Sequence, residues 1–155
     1  MRLSTKGRYA VMAMTDLARH GESRAVSLAE IATRQEISLS YLEQLFARLR
    51  KGGLVRSVRG PGGGYRLAAP ATATVISAIV QAVDEPLRAT RCAQHNGGRG
   101  CMAKGERCLT HDLWDALSAQ IEDYLSHITL ADVLNGRLRP APAADTAGFD
   151  RTAAA

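Results

Sequence analysis

No apolar stretch in this sequence approaches the roughly 20 residues that a membrane-spanning helix needs. Nothing at its start has the unbroken apolar centre of a secretion signal, because "MRLSTKGRYAVMAMTDLARH" is interrupted by Lys6, Gly7, Arg8 and Asp16. Cysteine is scarce, three in 155 residues, and an odd number leaves one over in any intramolecular disulfide scheme. These absences predict a cytoplasmic protein, with no membrane association, whose thiols stay reduced. Catalytic machinery is missing too. No nucleophile–base or acid–base pair stands out, which argues against an enzyme. The glycine-rich "GPGGG" (60–64) lacks the Lys and Ser/Thr that would follow in a phosphate-binding loop. There is no internal repeat.

What is present suffices for one domain with a core, or a small domain plus an accessory element. Charge is unevenly spread. Residues 1–68 carry twelve Lys and Arg against five Asp and Glu, whereas residues 69–155 carry eight against ten. The positive potential that could attract a polyanion therefore belongs to the N-terminal half.

In that half, residues 5–19 read as a helix with Tyr9, Met12, Ala13 and Leu17 sharing a face. Ser27 with Glu30 three places on is a capping box opening a short helix that ends near Gln35. In "SLSYLEQLFARLRKGG", Ser40 and Glu43 repeat that spacing, and Leu42, Leu45, Phe46 and Leu49 follow the stripe of an amphipathic helix. Gly52 and Gly53 stop it. Tyr41, Glu43, Gln44 and Arg48 form its other face. Next, "LVRSVRGPGGGYRL" (54–67) reads as a β-hairpin with Arg59 at the mouth of a glycine-rich tip.

Helix-turn-helix followed by a hairpin is the element order of a winged helix. The fold class expected is mainly α with a small β wing. A helix reads base edges in the DNA major groove, while a thin wing lies along phosphates or inserts an arginine into the minor groove. The candidate contacts to double-stranded DNA are Ser38, Ser40, Tyr41, Glu43 and Gln44, with Arg59, Gly60, Pro61 and Gly62 on the wing. Gln44 suits adenine. Glu43 accepts only from a donor such as cytosine N4 and otherwise repels phosphate, which makes it a selectivity device.

After Thr74 opens a short helix, "VISAIVQAV", all three cysteines fall in one glycine-rich loop. Cys92, Cys101, Cys108 and His111 give C-x8-C-x6-C-x2-H. Three thiolates and an imidazole suit tetrahedral zinc or a small iron–sulfur cluster equally well by ligand type. Cys108 and His111 flank the start of a longer helix, so one helical turn places both on one side. His95 reads as a solvated loop residue, and His20 and His127 as incidental. The long helix runs from Thr110 to about Ile128. Its narrow seam of Leu113, Leu117, Ile121, Leu125 and Ile128 is that of a helix pairing with a partner, which predicts a homodimer. A short helix, "TLADVLNG" (129–136), completes the ordered part. The expected organisation is a DNA-binding domain at 1–85, a ligand loop at 86–108, dimerisation elements at 109–136 and a disordered tail at 137–155.

"MRLSTKGRYAV", "ISLSYLEQLFARLRKGGLVRSVRGPGGGYRL", "ATRC" and "CLTHDLWDAL…ITLADVL" resemble, in order over residues 1–136, the motifs of the IscR-type transcription regulators. The resemblance implies a homodimeric winged-helix protein that binds a [2Fe–2S] cluster and switches genes of iron–sulfur cluster assembly. It carries the cluster ligands over to Cys92, Cys101, Cys108 and His111, and DNA contacts to Ser38–Gln44 and Arg59–Gly62. The spacers between the cysteines are longer here than in that group's usual pattern. Related NsrR-like nitric oxide sensors take a carboxylate from the N-terminal helix, but here that stretch reads Lys6-Gly7-Arg8-Tyr9, without an acid. The remaining alternatives are a nitric oxide or redox sensing repressor of the same fold, a [4Fe–4S] cluster, a zinc-stabilised repressor, and an iron–sulfur electron carrier.

Overall fold

A computed structural model describes residues 5–83, 101–102 and 105–138. Helix α1 (Thr5–His20) is followed by α2 (Leu28–Gln35) and α3 (Leu39–Lys51), then by strands β1 (Val55–Val58) and β2 (Gly64–Leu67) and helix α4 (Ile76–Ala82). Helices α5 (His111–His127) and α6 (Leu130–Leu134) complete the order. Among the described residues, no helix is long and apolar enough to cross a membrane.

Helix α1 forms where expected, but its buried stripe is Ala10, Ala13, Met14 and Leu17, and Tyr9 and Met12 are only half-buried. The two fully buried alanines decide this rotation. Their small side chains let α1 lie close against α4, which a face led by Tyr9 and Met12 would hold off.

The capping box of α2 is as read. Ser27 Oγ accepts from the Glu30 N–H at 3.3 Å, and the Ser27 N–H donates to Glu30 Oε2 at 2.9 Å. At α3 the expectation needs correcting. The N-cap is Ser38, whose hydroxyl accepts from the Tyr41 N–H, so Ser40 and Glu43 lie inside the helix and form no box. The reason lies in the turn before it. Glu36 adopts the left-handed conformation, φ 53°, to end α2, and the chain is extended only at Ser38, where a cap must be.

Leu42, Leu45, Phe46 and Leu49 of α3 are all buried, as the stripe predicts. Phe46 meets Tyr65 of β2 edge-on, with ring centroids 4.9 Å apart. The hairpin pairs Val55 with Leu67 through Val58 with Gly64. An isolated bridge from Val26 to Tyr65 ties it to the segment before α2. Gly64 is required there: its φ is +155°, and a Cβ would run into the Val26 carbonyl.

Thr74 does not cap α4. Its hydroxyl donates to the Pro70 carbonyl, and the helix starts after Val75, which forms a bridge with Thr129. That bridge, with the Ile76 N–H donating to the Ile128 carbonyl at 2.9 Å and the Leu130 N–H to the Thr74 carbonyl at 2.9 Å, brings the end of α5 back to the core. Ile128 and Leu130 are buried there, and α6 packs on α1. A second capping box, Thr129 with Asp132, starts α6. The sequence reading missed it, although the spacing is the one used at Ser27.

Candidate DNA interface and metal centre

The recognition candidates sit on the first turns of α3, which the cap at Ser38 and the buried Leu42–Leu49 stripe fix in rotation. Ser38, Ser40, Glu43 and Gln44 are exposed. Tyr41 is half-buried, its ring edge-on to Tyr9 of α1 at 6.0 Å, so it braces the helix as well as facing outward. Leu39, 44% exposed at the start of α3, was not singled out by periodicity because it lies off the apolar stripe. Arg48, assigned to the outward face, is turned inward: Nη1 donates to the Val83 carbonyl at 3.3 Å, fastening α3 to the end of α4.

On the wing, Arg59, Gly60, Pro61 and Gly62 are all exposed, and the tip is closed by the Gly63 N–H donating to the Gly60 carbonyl at 2.9 Å. Gly60 and Gly62 have φ of +99° and +73°, a reversal that suits glycine. The other wing arginines are engaged with the protein. Arg56 donates to the Ala68 carbonyl and Arg66 to that of Ser23. Arg59 has no such anchor among the described residues. An exposed guanidinium at a loop tip suits phosphate or groove contact.

An ion pair that sequence reasoning missed holds the first two helices together. Asp16 of α1 is 3% exposed. It receives Arg34 Nη2 at 2.6 Å, Arg34 Nε at 3.0 and 3.2 Å, and Gln35 Nε2 at 2.7 Å. Burial works against the charge of Asp16. The hydrogen bonds from Arg34 and Gln35 and the nearby charges of Arg34 and His20 outweigh it, so its pKa lies below the ordinary carboxylate value. His20 Nδ1 stands 3.5 Å from Asp16 Oδ1, so this histidine is not incidental. Glu30 is lowered further, to about 2, by hydrogen bonds from Arg24 and from the Ser27 backbone and hydroxyl.

Of the metal candidates, Cys92 lies outside the described residues, as do His95 and the tail from residue 139. Cys101 and Cys108 are half-buried and joined by the Cys108 N–H, which donates to Cys101 Sγ at 3.3 Å. His111 opens α5, its N–H donating to the Cys108 carbonyl at 3.0 Å. Its imidazole is buried, and Nδ1 has no hydrogen-bond partner among the described residues. Among the described residues, no three Cys, His, Asp or Glu side chains form a group able to hold a metal ion. The set read from the sequence is complete only with Cys92.

The proposed seam of α5 divides. Leu113 and Leu117 are 61% and 37% exposed, Ile121 and Leu125 are half-buried, and Leu125 packs on the core. Ile128 is a correction: it ends the helix in extended conformation and is buried within its own chain. Leu109, fully exposed just before α5, extends the apolar row to Leu109, Leu113 and Leu117, four residues apart.

Residues 3–136 match the family described as Rrf2, iron-dependent transcriptional regulator. The chain is 57% identical over 137 residues to the HTH-type transcriptional regulator IscR of Yersinia enterocolitica, covering 88% of this chain and 81% of that protein. It is 58% identical, with the same coverage, to that of Erwinia tasmaniensis. Among solved structures, T. potens IscR superposes with a TM-score of 0.71 at 39% identity, covering 92% of this chain and 93% of that one. CymR, the global cysteine regulator of B. subtilis, superposes with 0.73 at 30% identity, covering 88% and 98%.

Proposed function

Because the chain belongs to the Rrf2 family of iron-dependent transcriptional regulators and is of the IscR type, we propose that it binds duplex DNA as a homodimer and takes its signal from a [2Fe–2S] cluster held by Cys92, Cys101, Cys108 and His111. The genes it controls on this reading are those of iron–sulfur cluster assembly. The observation that carries the reading is the buried His111 imidazole, its Nδ1 without a partner among the described residues, one helical turn from a cysteine. An unsatisfied polar atom of this kind costs about 1–3 kcal/mol. A site for a bound group accounts for that cost, and the donor chemistry fits: soft thiolates with one imidazole.

When bound, the cluster supplies a one-electron centre and a covalent tie between the cysteine segment and the first turn of α5. The protein's own residues do the rest. Leu109, Leu113 and Leu117 offer an apolar row for the second copy's helix, which spaces two α3 helices along the duplex. Ser38, Ser40, Gln44 and Tyr41 face base edges, with Glu43 rejecting sites that lack a matching donor. Arg59 fixes the wing on the backbone or minor groove. Because α5 starts at His111 and packs on α4, while Arg48 ties α4 to α3, a shift at the ligand loop has a path of packed contacts to the recognition helix.

Protein purified without oxygen should be coloured and contain iron and acid-labile sulfide in equal amounts. A colourless preparation containing zinc would overturn the reading, since zinc has no redox chemistry.

A further inference from the structure

Among the described residues, Ser27, Ser38, Thr110 and Thr129 each stand just before a helix, and three of the four use their hydroxyl in the same way. The hydroxyls of Ser27, Ser38 and Thr129 each accept a backbone N–H of the helix they open. Thr110, the residue before α5, makes no such bond. Its hydroxyl is engaged elsewhere. Trp114 Nε1 donates to Thr110 Oγ1 at 3.1 Å, and Cys108 Sγ lies 3.7 Å from the same oxygen.

The chemistry of these groups fixes the direction of the first bond, and of the second once Cys108 serves as a ligand. An indole N–H can only donate, so the threonine oxygen accepts from it and its own hydrogen is left to point elsewhere. A cysteine sulfur serving as a metal ligand carries no proton and can only accept. We propose that Thr110 is a positioning residue for the ligand site: held by Trp114, its hydroxyl donates to the Cys108 sulfur and sets the electron density at that ligand. This inference rests on the cluster reading above. A hydrogen bond to a ligating sulfur draws charge from the metal and makes the reduced state easier to reach. Trp114 thus acts on the site through Thr110 without touching it, from the first turns of the helix assigned to pairing.

The test uses the full chain, reconstituted anaerobically with iron and sulfide, as T110V, T110S and W114F. Valine keeps the shape of threonine and removes the hydroxyl; serine keeps the hydroxyl. Redox titration should show T110V harder to reduce, its oxidised-to-reduced ratio at fixed potential moved roughly tenfold, about 59 mV for a one-electron couple. T110S should return to the parent value, and W114F should shift the same way by less. Trp114 is the chain's single tryptophan, so in cluster-free protein its emission maximum should differ between T110V and the parent but not between T110S and the parent. A T110V protein that holds its cluster at the parent potential overturns this proposal and leaves the cluster reading standing. An unchanged emission maximum, or a T110S protein that behaves like T110V, also overturns it. A parent protein that takes up no cluster removes both.

Discussion

The winged-helix part of this chain, residues 5–83, finds partners for its buried polar side chains, while the arm that follows leaves one of its own without a partner among the described residues. In the first, the core closes around Met14, Leu17, Ile31, Leu42, Phe46 and Ile79, and its buried carboxylate, Asp16, has partners at both oxygens. In the second, Leu109 and Leu113 face solvent and the buried His111 keeps a nitrogen without a partner among the described residues. A region whose buried groups are matched is a scaffold. One that leaves both polar and apolar groups unmatched among the described residues is open to further partners. On the proposed function, DNA presentation belongs to the first region and signal and pairing to the second.

The sharpest way to break the contrast is to remove core from the scaffold. Phe46→Ala empties a fully buried site that also holds Tyr65, and should cost about 3–5 kcal/mol in urea unfolding. Substitutions in the exposed row of α5 should have no such effect on the chain's own fold.

Next comes the polar half of the scaffold. Asp16→Asn keeps the shape but strips Arg34 of its counter-charge, and should cost about 2 kcal/mol by the same measurement. A pH dependence accompanies it. Asp16 and Glu30 have lower pKa values folded than unfolded, so the unfolded chain binds more protons in acid. Their stabilisation is complete above the ordinary carboxylate range and is lost as pH falls through their lowered pKa values, for Glu30 about 2. Unfolding followed from pH 6 to about 2 should show that decline, and a shallower one in Asp16→Asn.

Much of the scaffold was legible because its signals are local. The α3 stripe, the box at Ser27 and the glycine-rich hairpin each depend on residues close in sequence. Other features depend on distant partners. Arg48 reads as an outward base until α4 supplies the Val83 carbonyl, and the sequence names no partner for Asp16, which Arg34 and Gln35 of α2 reach. Ile128 matched the helical seam by spacing, but the bridge from Val75 to Thr129 takes it out of the helix and into the core. At the candidate site, ligand types and spacing were plain in the sequence, whereas the burial of His111 and the bond from Trp114 to Thr110 were not, since both need the helix in place.

Function offers two finer tests. Arg59→Ala should weaken binding to a target duplex at fixed salt by about 1–3 kcal/mol while unfolding is unchanged; equal affinity would remove the wing from the interface. Leu113→Glu alters neither core nor wing. It should leave urea unfolding of the chain within about 0.5 kcal/mol and abolish the dimer in sedimentation, and a dimer that persists would place the pairing surface elsewhere.

The central claim, that the arm governs the scaffold, is tested most directly by titrating one target duplex with the same anaerobic preparation before and after the cluster is removed, at one salt concentration. Affinities differing by about tenfold or more, roughly 1.4 kcal/mol of coupling, are what the account predicts. Identical affinities with a fully occupied and a cluster-free protein would contradict it.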